Sequence, residues 1–133
     1  MPIEWSVDTE NGIARIDFRD QVGLEECVAM VRNVASVTTV LGDCSLLLDT
    51  RHLAIVPGFD LVLRISQLAG QLADKKHPGH YALIGAPGTA AYGKCRQVVA
   101  MLNAAGLKAD LFESEQDALF WCDPLNPRLL KGE

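Results

Sequence analysis

The chain has 133 residues, 49% of them hydrophobic and 22% charged, with a formal net charge of −5 at pH 7. That length suits one domain able to bury roughly two thirds of the surface its unfolded chain exposes. The composition excludes a disordered or collagen-like chain, the excess of acid argues against binding a nucleic-acid backbone, and no apolar run nears the ~18 residues of a membrane span.

Ile3, Trp5 and Val7 alternate with Glu4, Ser6 and Asp8, the pattern of a half-buried strand. Asn11-Gly12 is a strong hairpin signal, and Ala14, Ile16 and Phe18 alternate with Arg15, Asp17 and Arg19 beyond it, so the chain opens with an antiparallel hairpin. A helix follows from Gly23 to about Val37, with Leu24, Cys27, Val28, Val31 and Ala35 on one stripe. Ser45 to Asp49 is apolar on both faces until Asp49, as in a central parallel strand. Pro57 to Asp74 reads as a second helix, with Leu61, Ile65, Leu68, Ala69 and Leu72 inward. His77 and His80 flank a Pro-Gly turn as exposed loop residues, and Tyr81 to Gly85 is a second buried strand. Thr89 is a good N-cap for a third helix whose core face is Ala91, Cys95, Val98, Val99, Leu102 and Ala105, closed by Gly106. Ala109 to Glu113 is a short strand, and Ser114 with Asp117 opens a last helix that Pro124 stops.

The order β-β-α-β-α-β-α-β-α implies an α/β domain with a mixed sheet over residues 1–122 and an extended tail over 123–133. Nothing at the N-terminus reads as a signal peptide, and Cys27, Cys44, Cys95 and Cys122 form no CxxC pair or metal-ligand spacing with the three histidines. Free thiols in a cytoplasmic protein are the simplest account, with no metal and no cofactor expected.

That order is similar to the one in STAS domains. The stretches Tyr81 to Gly85, Gly88 to Arg96 and Leu111 to Trp121 resemble the SpoIIAA-like, STAS/SEC14-type family of small bacterial proteins. The resemblance implies a cytoplasmic domain that binds a protein partner, a nucleotide or an apolar ligand. Anti-sigma-factor antagonists of the wider group are switched by phosphorylation of a serine at the start of the second helix. Here no serine or threonine stands between His52 and Arg64, so the resemblance does not extend to a phosphoserine switch.

Gly88 to Cys95 nearly spells the phosphate loop G-x-x-x-x-G-K-[ST] between a strand and a helix. Cys95 stands where a Mg²⁺-holding hydroxyl belongs, and capping by Thr89 would put Gly93 inside the helix, leaving no open loop. A glycine there costs about 1 kcal/mol against alanine, which close approach of a backbone or ligand would explain. Tyr92 and Arg96 are neighbours on one helix face, either a recognition patch or a surface stacking pair. Asp49, Arg51, His52, Pro87 and Thr89 could converge on one rim at the carboxyl ends of the strands, where ligands sit in open α/β sheets; the plainer reading is a turn-capping Asp and a solvated His. Leu53-Ala54-Ile55-Val56-Pro57-Gly58-Phe59 is a strongly apolar connection, extended by Val62 and Leu63, that its own core, a second subunit or an apolar ligand must cover.

The expected role is a non-enzymatic regulatory or interaction domain of STAS type that self-associates through the Leu53–Leu63 surface. The alternatives are a carrier or sensor of a small apolar, lipid-like ligand and a nucleotide-binding module. The candidate binding residues are Asp49, Arg51, His52, Ile55, Pro57, Phe59, Leu63, Thr89, Tyr92, Gly93 and Arg96; none is assigned a catalytic role.

Overall fold

The computed structural model describes residues 3–8, 12–21, 45–54 and 80–122, together with 23, 25–30, 32–33, 58, 60, 63–64 and 67. Five strands make one sheet in chain order: β1 (Ile3–Asp8), β2 (Ile13–Asp20), β3 (Ser45–Leu53), β4 (His80–Ile84) and β5 (Lys108–Phe112). The β1–β2 pair is antiparallel and the other three pairs are parallel. Helix α1 (Ala90–Ala104) joins β4 to β5, and α2 (Glu115–Cys122) follows β5. Residues 25–30 and 32–33, and residues 60, 63–64 and 67, are helical as well. The mixed sheet and the alternation of strand and helix are those the sequence predicts.

Strands added in one direction by right-handed crossovers send their connecting helices to the same face. Cys27 and Met30 accordingly share a core cluster with Cys95 and Leu102 of α1, over Ala14, Ile16, Phe18, Leu46, Tyr81, Leu83 and Ala109. We call this the α1 face. On the opposite, α2 face, Ile13, Leu47, Ala82 and Ile84 pack with Ala118 of α2, flanked by Phe112, Leu119 and Trp121.

Local chemistry fixes the ends of α1. Thr89 has extended backbone (φ −98°, ψ 154°), and its hydroxyl accepts the Tyr92 N–H. At the other end Gly106 is left-handed (φ 90°). Its N–H bonds the Asn103 carbonyl at 3.0 Å and the Leu107 N–H bonds that of Leu102 at 3.0 Å, a Schellman closure. The Asn103 side chain then clamps β5, donating to the Ala109 carbonyl (3.1 Å) and accepting its N–H (2.9 Å). Ser114 Oγ accepts the Asp117 N–H at 3.2 Å, as its capping role requires.

Four expectations need correction. β3 runs on to Leu53, so Asp49 lies inside the strand and Leu53 packs on the core instead of opening a surface connection. His80 is the first residue of β4, half-buried, not an exposed loop residue. Ala105 is the exposed C-cap of α1 and not part of its core face. Trp5, paired with Ile16, remains 38% exposed on the edge strand. The Leu24, Val31 and Ala35 positions, most of the 57–74 helix, Cys44, His77 and the 123–133 tail lie outside the described residues.

Candidate functional site

β3 alternates as a buried strand should: Leu46 and Leu48 face α1, while Leu47 and Asp49 face α2. Asp49 is 0% exposed, the one buried charged residue among those described. Burying a carboxylate is costly unless it is paired and hydrogen-bonded. Asp49 Oδ1 accepts the Arg51 backbone N–H and Nε–H, both at 3.0 Å. Its Oδ2 accepts Arg51 Nη2 at 2.7 Å and Arg15 Nη2 at 3.0 Å. Arg15 also lies side-on to Asp17, with Nε and Nη2 each at 3.3 Å, and its Nη1 pairs with Glu115 at the start of α2. Two arginines and three carboxylates thus form one ionic cluster on the α2 face, beside the apolar patch that α2 covers.

A register shift builds this cluster. Asp17 pairs with Asp49 but Arg19 pairs with His52, so β3 has one residue more than β2 over that span. An extra residue interrupts the ladder and re-aims side chains. The Asp49 carboxylate takes the Arg51 N–H at the interruption, two residues on, as Asp does in turns. The shift carries His52 onto the face of Arg15, Asp17 and Arg19, and returns Leu53 to the α1 face. Thr50 Oγ1 donates to the Ile84 carbonyl at 2.8 Å and lies 3.2 Å from the buried Cys95 Sγ.

The electrostatics follow from the contacts. Burial alone would push the Asp49 carboxyl up, but the Arg51 hydrogen bonds and the charges of Arg51 and Arg15 outweigh it and hold it below the ordinary value. The same bonds raise Arg51 further. Burial pushes the Cys27 thiol up to about 11 and raises Cys95 as well.

Of the expected rim, Asp49 and Arg51 do meet and His52 joins their face, exposed and without a polar partner among the described residues. Thr89 is not part of that constellation. Its hydroxyl donates to the Ala86 carbonyl at 2.7 Å and accepts the Tyr92 N–H, and Pro87 is exposed in the same turn. Gly93 is helical, and among the described residues nothing outside its own helix comes within 4 Å of where a Cβ would stand. The close approach is at Gly85, where a Cβ would sit 3.0 Å from the Tyr92 ring. The Arg96 guanidinium lies 5.2 Å from the centre of that ring, and the two make a stacking pair. Ile55, Pro57 and Phe59 lie outside the described residues; Leu63 is 37% exposed. Among the described residues, no group of three or more His, Cys, Asp or Glu could hold a metal ion, and no helix is long and apolar enough to cross a membrane.

Arg15, Asp17 and Glu115 escape the sequence reading because they look like the solvent side of a strand and a helix first turn. The one available signal was Asp49 itself, an acid inside an apolar strand, with Arg15 and Asp17 two residues apart on a neighbouring strand.

No family model matches the chain, and no curated protein matches it. A solved structure does: an uncharacterised protein of the DUF3478 family from Shewanella loihica PV-4, with a SpoIIAA-like fold. It is 16% identical, has a TM-score of 0.62, and the match covers 90% of this chain and 91% of that one. The resemblance first carried by residues 81–121 therefore holds for the architecture of nearly the whole chain, which has a SpoIIAA-like α/β fold.

Proposed function

We propose that the chain is a non-catalytic STAS-type interaction domain, without a phosphoserine switch, that works by binding at the carboxyl ends of β2 and β3. The observation that carries this reading is the state of its buried ionisable groups. A general acid or base needs a pKa near working pH and a nucleophile needs an activated one. Asp49 is instead held fully ionised by four hydrogen bonds, and the buried thiols of Cys27 and Cys95 are held protonated. Such a cluster fixes the position of side chains without exchanging protons.

Self-association is the second reading. Leu63 is one of three large apolar side chains exposed among the described residues, on a helical stretch beside exposed Gly58, Asp60 and Arg64. Native mass spectrometry on freshly purified protein, followed by denaturing mass on the same sample, tests both readings. A multiple of 14.4 kDa supports self-association, and added mass that leaves on denaturation supports a retained ligand. A bare monomer at tens of micromolar counts against self-association, as does an oligomer that survives both Phe59→Asp and Leu63→Asp. Turnover of a substrate panel that Asp49→Asn abolishes would overturn the non-catalytic reading.

A further inference from the structure

The two arginines bound to Asp49 are not used alike. A guanidinium offers five N–H donors on two edges, a side-on edge (Nε, Nη2) and an end-on edge (Nη1, Nη2). Arg15 has both edges filled: Asp17 side-on, Asp49 and Glu115 end-on. Arg51 gives its side-on edge to Asp49, and its Nη1 has no hydrogen bond or ion pair among the described residues. Its side chain is 33% exposed while that of Asp49 is 0% exposed, so Arg51 reaches from a buried carboxylate to the surface. An arginine aligned from behind by a buried carboxylate has lost its rotamer freedom before any ligand arrives, which lowers the cost of binding.

Two more donors stand next to it. Arg19 faces His52 across the β2–β3 pair, and His52 follows Arg51 in the chain. Both are exposed, and neither has a polar partner among the described residues. The cluster is layered: Asp49 lies innermost, Asp17 and Glu115 are paired to Arg15, and Arg19, Arg51 and His52 form the outer layer. Three acids balance three arginines, so the place has no excess charge to attract anions generally. What it offers is geometry. One arginine edge satisfies the two oxygens of a planar carboxylate; three separate donor groups suit an ion with more oxygens.

We propose that Arg51, positioned by Asp49 and flanked by Arg19 and His52, binds a phosphate group carried by a soluble small molecule. The inference rests on the reading of the chain as a binding domain and deepens it. The net charge of −5 favours a soluble source over an anionic membrane.

The test is a titration of the whole chain with inorganic phosphate and with glycerol 3-phosphate at constant ionic strength, followed by backbone amide NMR, with acetate as control. Saturable shifts centred on Arg19, Arg51 and His52 are expected, with acetate much weaker. Arg51→Gln and Arg19→Gln should each weaken binding by about tenfold or more, and Arg64→Gln should leave it unchanged. Arg19 is exposed and has no polar partner among the described residues, so its variant folds even if Arg51→Gln does not. No saturable shift, or equal affinity in Arg19→Gln, overturns the site and leaves the broader binding role standing. Preference for phosphatidic acid vesicles over the soluble ester overturns the soluble source.

Discussion

The two faces of the sheet are built on different principles. The α1 face is closed by size and shape: Cys27, Met30, Cys95 and Leu102 fill the space over β2 to β5 with apolar atoms. The α2 face is split. Over β4 and β5, Ala118, Trp121 and Phe112 make a small apolar patch, and Trp121 meets His80 edge-on at a ring separation of 4.6 Å. Ile13 of β2 and Leu47 of β3 belong to that patch, but farther along these two strands the same face is ionic, with Asp49 at its centre. Apolar contacts are non-directional and tolerate approximate fits, whereas a buried ion pair demands its partners. The α1 face should therefore carry most of the stability, and the ionic half of the α2 face the positional precision.

That division predicts a gradient of effects. The largest belongs to Leu102→Ala, at a side chain 2% exposed in the middle of the α1 face and also part of the Schellman closure. Truncating a buried leucine costs about 3–4 kcal/mol, read as a lower urea midpoint at unchanged slope. A loss below about 1 kcal/mol would mean that this face is not the main core.

Asp49→Ala comes next. It leaves Arg15 and Arg51 without their shared carboxylate, and breaking a buried pair costs about 3–5 kcal/mol. Both arginines are about one-third exposed and can regain water, so a loss of about 3 kcal/mol is expected. The acid limb of stability carries the same information. The folded-state pKa of Asp49 is depressed, so the unfolded chain binds more protons between the two values. This contribution is full above the ordinary carboxylate value near 4 and is lost as pH falls through the folded value. Asp49→Asn should flatten the acid limb of a pH series of urea midpoints; an unchanged limb would show that Asp49 is not the titrating group.

The two faces also differed in how far they could be read from sequence. Periodicity placed Cys27 and most of the α1 stripe, because an apolar stripe repeats along its own helix. Thr89, Gly106 and Ser114 declared the helix ends by their own backbone chemistry. The ionic cluster has no such local period. Its members come from β2, β3 and α2, and they meet only because the register shifts between Asp17 and Arg19. An extra residue in a parallel pair leaves no mark in either strand, so Asp49 looked like a strand end, while His52 is exposed, as the plainer reading has it. The near match to a phosphate loop could be set aside by the same local chemistry, since Thr89 is a cap and Cys95 is core, as the sequence predicts.

The smallest effect should come from Glu115→Gln, which separates the cluster's centre from its rim. Glu115 pairs with Arg15 Nη1 from the first turn of α2, with its side chain 43% exposed. An exposed pair is worth about 0–1 kcal/mol, with a few tenths more for an acid at a helix N-terminus, and salt weakens both. The unfolding free energy from urea titration should therefore fall by less than about 1 kcal/mol at low salt, and by less still at high salt. Arg15 keeps Asp17 and Asp49 in that variant, so the core of the cluster persists. A loss as large as that of Asp49→Ala would mean that Arg15 cannot hold its place without α2, making the five charged residues one cooperative unit. The double variant distinguishes the cases. Independent sites give additive losses, whereas a shared network gives a combined loss smaller than the sum.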